Sequence, residues 1–310
     1  MTTSTNSLVQ LHYASLELLN DKRFSTQVFG WLSSEERKRY KRLVNKQQAS
    51  QYLLARALLR SQLSKCVPEV SPNEWVFVIE DSGKPRLSDD FSHLNFHFNL
   101  SHSKDLVVLA LGKGLAEELG EELGEELGEE LGEELGEELG KRLNLGVDVE
   151  WIHRPVFSMA LAKRYFAKTE LTDLMKLTEQ QQIKRIGQLW TLKESYLKTN
   201  GLGIRIPLAK LGFCFEGSCS LRVNVSPSWT KSLPAEERSF IGLFNVSCLG
   251  SEYSLALTIE ADKKFDTSVV TISEWDGLSS QRSGLSCELL RKTASKKIVT
   301  TLYEILYEML

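Results

Sequence analysis

Apolar residues recur at helical spacing in some stretches and alternate with polar ones in others. Leu53, Leu54, Ala57, Leu58 and Leu63 share one face of a 3.6-residue period and predict a helix. Ser33 and Ser34 ahead of Glu35 and Glu36 mark a helix start, so the first part reads as helical. The basic stretch Arg37, Lys38, Arg39, Lys41 and Arg42 reads most simply as its solvated face. Trp75–Ile79 alternates like a short strand and ends in a turn at Gly83-Lys84-Pro85. Phe96–Leu100 and Leu106–Leu111 predict a hairpin joined around His102–Asp105. Leu145–Trp151 predicts a strand with Val147 and Val149 on one face. Ile183–Asn200 predicts a helix stopped by Gly201 and Gly203. Phe213–Phe215, Leu221–Val225, Phe240–Val246 and Ser254–Ile259 read as strands, and Glu288–Leu310 as an amphipathic helix.

One segment fits neither period. Residues 117–140 are six copies of Glu-Glu-Leu-Gly. Leu every four residues drifts about 40° per repeat around a helix, so no face stays buried. Each interior Gly also costs about 1 kcal/mol against Ala. An exposed helix or a disordered loop without chemistry is expected. The tract holds 12 of the chain's 41 acidic residues; the remainder, with 38 Lys and Arg, is net positive although the whole chain is −3. A basic body suits anionic partners such as phosphates, acidic proteins or nucleic acid.

The 310 residues are 42% apolar and 25% charged, ordinary for a soluble globular chain. Met1–Asn20 has no Lys or Arg and so lacks a signal-peptide n-region. The longest plain apolar run is too short to cross a bilayer. Five cysteines without a C-x-x-C pair suit a reducing compartment. A cytoplasmic protein is expected.

The clearest chemistry lies in Gly146-Val147-Asp148-Val149-Glu150. On a strand Asp148 and Glu150 point the same way, and two neighbouring carboxylates repel unless a cation sits between them. Hard oxygen ligands suit Mg²⁺, although a solvent-facing edge strand would read the same. On the later helix Trp190, Glu194 and Lys198 are neighbours at four-residue spacing. There Glu194 offers a third carboxylate and Lys198 a cation beside phosphates; a surface Glu-Lys pair is the plainer alternative. Asn99-Leu100-Ser101-His102-Ser103 gathers an amide, hydroxyls and an imidazole at a predicted strand end. These groups suit a phosphate or a capped turn. No G-x-S-x-G elbow accompanies the Ser-His pair.

Five pieces in order carry a resemblance: Gly83-Lys84-Pro85, Asn99-x-Ser101-His102-Ser103, Gly146-x-Asp148-x-Glu150, Phe166-x-x-x-Glu170 and Trp190-x-x-Lys193-Glu194-Ser195-x-x-Lys198. From about Ser33 to Trp275 the chain resembles the surfactin-type 4'-phosphopantetheinyl transferase family. The resemblance implies an α+β fold, a pseudo-twofold pair of similar halves with coenzyme A in the cleft between them. It implies transfer of the 4'-phosphopantetheine arm of coenzyme A to a serine of an apo acyl or peptidyl carrier protein, releasing 3',5'-ADP. Asp148, Glu150 and Glu194 would hold Mg²⁺. Lys198 would stabilise leaving phosphate charge, and Glu170, Glu194 or a metal-bound water would take the serine proton. Arg39, Arg60, Lys84, Ser101, His102 and Lys198 would grip coenzyme A.

Two positions depart from the family pattern. Glu36 stands where the family often has a base, and Gln51 where it has an arginine; Arg56 or Arg60 would compensate. The expected organisation is an N-terminal half over 1–114, the repeat insertion over 115–144, a C-terminal half with the metal site over 145–277, and a helical extension over 278–310. Both halves lie in one chain, so a monomer is expected, with carrier protein and coenzyme A as partners and neither nucleic acid nor membrane. The size and basic body resemble members that serve polyketide, nonribosomal peptide or polyunsaturated fatty acid synthases. A Mg²⁺-dependent nucleotidyltransferase and a non-catalytic module binding carrier protein or coenzyme A are the alternatives.

Overall fold

The computed structural model describes residues 9–80, 83–113, 143–199, 207–216, 220–225, 238–261 and 270–277. The Glu-Glu-Leu-Gly tract, Gly201, Gly203 and the helix expected over Glu288–Leu310 lie outside the described residues. The helical reading of the first part needs a correction. The chain enters as strand β1 (Val9–Ser15), in which Val9, Leu11 and Tyr13 alternate with Gln10 and His12. The period-2 signal was there; the helices follow it. These are α1 (Lys22–Gly30), α2 (Ser34–Arg42) and the 21-residue α3 (Lys46–Cys66). Ser33 caps α2 in a reciprocal capping box with Glu36, and Asn45 caps α3 through the Gln48 N–H.

Next come the short hairpin β2 (Phe77–Ile79) and β3 (Pro85–Leu87), then β4 (Phe96–Ser103) and β5 (Leu106–Lys113). Gly83 takes φ +83° in the first turn, open to glycine at no steric cost. The second half repeats the plan: strand β6 (Leu143–Trp151), helices α4 (Met159–Tyr165) and α5 (Lys168–Leu174), the 21-residue α6 (Glu179–Thr199), hairpin β7 (Leu211–Glu216) and β8 (Ser220–Val225), then hairpin β9 (Arg238–Cys248) and β10 (Ser251–Ala261). In the first sheet β5 sits between β1 and β4; in the second, β10 sits between β6 and β9. Strand, long helix, small hairpin and large hairpin therefore recur in the same order with the same pairing. The expected pair of α+β halves is what the chain folds into.

The two sheets share a core of Val9, Leu11, Leu106 and Val108 from the first and Leu145, Val147, Val149, Leu255 and Leu257 from the second. The outer face of the first sheet is covered by α3, through Leu54, Ala57 and Leu58 packed with Val107, Leu109 and Leu111. The outer face of the second is covered by α6, through Ile186, Leu189 and Leu192 packed with Leu243 and Ala256. Each fully buried leucine contributes about 1.5–3 kcal/mol. No described helix is long and apolar enough to cross a membrane.

The last described strand, β11 (Val270–Glu274), crosses back. It pairs in parallel with β1, and Trp275 packs on Phe24 of the first half. The segment placed in the C-terminal half up to residue 277 thus completes the N-terminal sheet. The predicted hairpin joint at His102–Asp105 also shifts. Ser101, His102 and Ser103 are strand residues paired with Val108, Val107 and Leu106, leaving Lys104 and Asp105 as the turn.

Candidate active site

Strand β6 places Asp148 and Glu150 on one face and Val147 and Val149 in the core between the sheets. One edge of β6 pairs with β10, which leaves alternate backbone N–H groups on its other edge without a strand partner. Side chains of β4 fill that edge. Val147 N–H donates to Asn99 Oδ1 at 2.9 Å, Val149 N–H to Ser101 Oγ at 3.3 Å and Trp151 N–H to Ser103 Oγ at 3.0 Å. The period-2 spacing of Asn99, Ser101 and Ser103 matches the spacing of those N–H groups. The two hydroxyls then donate onward, Ser101 to Asp148 Oδ1 and Ser103 to Glu150 Oε2, both at 2.8 Å. The polar run of β4 joins the halves and aims both carboxylates.

Helix α6 brings the third carboxylate. A Cβ on Gly146 would sit 2.1 Å from the Ser195 carbonyl oxygen and 2.5 Å from the Thr199 nitrogen. Only glycine lets the helix backbone lie directly on β6, with Ser195 Oγ donating to the Gly146 carbonyl at 2.9 Å. Gly146→Ala is expected to push α6 outward and cost about 1–3 kcal/mol or more through overpacking. A thermal melt together with an activity assay checks this; an unchanged melting temperature would count against the close approach.

Lys198 spends its three ammonium protons at the site: on Asp148 Oδ1 at 2.8 Å, Ser101 Oγ at 3.0 Å and the Val147 carbonyl at 3.1 Å. Glu150 Oε1 accepts from Arg154 Nη1 at 2.5 Å. No hydrogen bond among the described residues holds Glu194. Burial and the neighbouring Asp148 push the Glu194 carboxyl up, and Lys198 opposes them. Glu150 is pushed up by burial and by Asp148, against Arg154 and Ser103. Asp148 Oδ2 is buried without a hydrogen-bond partner.

These three carboxylates fit a hard divalent cation in donor chemistry: an orphaned buried oxygen, oxygen ligands alone and mutual repulsion. They do not converge on one point, since among the described residues no three His, Cys, Asp or Glu side chains gather closely enough to hold a metal ion. Asp148 and Glu150 are turned toward Lys198 and Arg154 instead.

The other sequence candidates divide. His102 reaches solvent beside Lys198 and Asp148; partial burial and Lys198 lower its pKa, while Asp148 opposes. Lys84 donates to the Leu145 carbonyl at 3.2 Å, about 10 Å along β6 from Asp148. Burial lowers its pKa, against Glu80 and Glu260. Ser101 is 6% exposed, and its hydroxyl already donates once and accepts twice, so it has nothing left for a coenzyme A phosphate. Arg39 is exposed, with its guanidinium 5.5 Å from the Tyr52 ring centroid.

Arg60 and Glu170 need correction. Arg60 is 1% exposed; it donates to the Pro72 and Trp75 carbonyls and to Glu36 Oε2 at 2.6 Å, pinning α2 to α3. Arg56 also leans on Glu36, and Gln51 donates to the Lys104 carbonyl. Arg60 does not replace the bases missing at 36 and 51, since its guanidinium is held by Pro72, Trp75 and Glu36. Glu170 is 1% exposed and pairs with Lys193 at 2.9 Å in the core, accepting also from the Ala167 and Phe213 N–H groups. It lines a cavity with Asp173, Arg185 and Phe215, but both its oxygens are already engaged, which makes it a structural anchor. Sequence reading missed Arg154 in the site. Its signal was position, four residues past Glu150 on the turn that leaves β6.

Two family models match the chain. One, 4'-phosphopantetheinyl transferase superfamily, covers residues 144–257; the other, 4'-phosphopantetheinyl transferase, N-terminal, covers residues 21–113. The chain is 28% identical over 200 residues to the 4'-phosphopantetheinyl transferase HetI of Nostoc sp., across 64% of this chain and 71% of that one. It is 28% identical over 178 residues to the 4'-phosphopantetheinyl transferase Sfp of Bacillus subtilis, across 57% and 64%. A further 4'-phosphopantetheinyl transferase of Bacillus subtilis is 26% identical over 227 residues, across 73% and 81%.

Proposed function

Because the chain belongs to the 4'-phosphopantetheinyl transferase superfamily, we propose that it moves the 4'-phosphopantetheine arm of coenzyme A to a serine of an apo carrier protein. The serine oxygen forms a new bond to the phosphorus that carries pantetheine, the pyrophosphate bridge breaks, and 3',5'-ADP leaves. The observation that carries this reading is that Asp148, Glu150 and Glu194 lie near enough along the seam between β4, β6 and α6 to repel one another, with Lys198 bonded to Asp148. Binding alone has no need for three mutually repelling carboxylates.

Asp148, Glu150 and Glu194 would hold Mg²⁺, whose charge would draw electron density from the pyrophosphate. Lys198 would stabilise the leaving phosphate charge, with Ser101 keeping it oriented. With Glu170 in the core, Glu194 is the side chain suited to accept the serine proton. No hydrogen bond among the described residues occupies its oxygens, which leaves one open to a proton. His102, Lys84 and Arg39 remain for the phosphates of coenzyme A. Both halves of the site lie in one chain, which supports a monomer; the size and basic body support a carrier of a polyketide, nonribosomal peptide or polyunsaturated fatty acid synthase. The test is incubation with coenzyme A, Mg²⁺ and a panel of apo carriers, read by intact mass. A gain of one phosphopantetheine on at least one carrier is expected; folded enzyme that modifies none of them overturns the reading.

A further inference from the structure

Two cations already occupy the carboxylate cluster, and they are held very differently. Lys198 has a 29% exposed side chain, and its three protons are all bonded to the seam. Arg154 has a 45% exposed side chain, and among the described residues Glu150 is the acceptor of its one side-chain hydrogen bond. Its other ties are a cation–π contact with Phe157 at 5.9 Å and the turn backbone, where Arg154 N–H donates to the Trp151 carbonyl at 3.1 Å. Arg154 thus has fewer acceptors and more solvent exposure than Lys198.

Charge balance says that one cation gives way, and the looser hold on Arg154 says which. Three ionised carboxylates against Lys198 and Arg154 leave one negative charge, and a divalent ion would turn that into a positive excess. Release of Arg154 restores balance and frees Glu150 Oε1. Resting on the metal reading above, we propose that Arg154 is a counter-cation gate. It neutralises Glu150 until a divalent cation replaces it, and so sets the affinity with which the site loads metal. This role also accounts for the incomplete convergence of the carboxylates, because Glu150 faces its arginine.

The test titrates Mg²⁺ alone into the full chain by calorimetry, without coenzyme A or carrier, for wild type, Arg154→Gln, Arg154→Lys and Asp148→Ala. Arg154→Gln is expected to bind Mg²⁺ about tenfold more tightly, the equivalent of about 1.4 kcal/mol. Arg154→Lys is expected to fall between it and wild type. Lys163→Gln removes an exposed cation of α4 and is expected to stay within about twofold of wild type, which separates the gate from general charge. The melting temperature should rise more on Mg²⁺ addition in Arg154→Gln than in wild type. Unchanged or weaker binding by Arg154→Gln, with wild-type binding that Asp148→Ala abolishes, overturns the gate and leaves the metal reading standing. Absence of Mg²⁺ binding in every protein, Arg154→Gln included, overturns both.

Discussion

Replacing Glu194 by Gln is expected to cut phosphopantetheine transfer by about a hundred- to a thousandfold, the usual loss for a group that acts in the transition state, while the melting temperature stays level or rises. The two effects have one cause. Burial and Asp148 raise the Glu194 pKa in the fold, so the folded state disfavours its ionised form. A carboxyl raised on folding lends stability below its unfolded pKa and loses it as pH climbs through the folded value. At neutral pH the ionised group is therefore a cost that function retains, and the neutral isostere relieves it. As pH falls from neutral toward the ordinary carboxylate range, wild type should regain stability that Glu194→Gln does not, so the two melting curves should approach each other. Mg²⁺ should raise the melting temperature of wild type and do less for the variant. Intact-mass assays and melts with and without Mg²⁺ check all three. Equal losses of melting temperature and turnover would instead make Glu194 a structural residue.

The site was more legible than its supports. Gly146, Asp148 and Glu150 announce themselves because strand period and side-chain chemistry are both local. Glu194 and Lys198 do so because a helix places residues four apart side by side. What the strand pattern could not reveal is that the edge of β6 would be paired by side chains. That fact decides whether Ser101 faces a ligand or the protein. Arg60 and Glu170 failed for the same reason. A charged residue in a helix reads as exposed until its distant partners, Glu36 24 residues away for the one and Lys193 for the other, are in place. Strands β1 and β11 show the limit for the fold. Val9, Leu11 and Tyr13 alternate plainly enough, but nothing local says that a segment about 260 residues later will lie in parallel beside them.

That partner dependence gives the second large effect. Lys193→Met is expected to destabilise the chain by about 3–5 kcal/mol, because it strands the Glu170 carboxylate in the core without its cation. Lys193 Nζ donates to Glu170 and to the Leu208 and Leu211 carbonyls, so one ammonium fastens α6, α5 and the start of β7 together. Burial pushes Glu170 up and Lys193 down, and the pairing opposes both shifts. At about 2–4 °C per kcal/mol for a body of this size, the melting temperature should drop by about 10 °C. Adding Glu170→Leu to Lys193→Met should recover part of that loss by removing the stranded charge. The recovery stays partial because the Ala167 and Phe213 N–H groups and the two carbonyls lose their partners. Glu170→Gln separates the two roles assigned to Glu170. A catalytic base replaced by an amide loses turnover at constant stability. An anchor loses stability and, assayed well below its melting point, keeps its specific activity within a few-fold. The second outcome is expected, since the carboxylate that would take a proton from a carrier serine must reach the surface and Glu170 is 1% exposed.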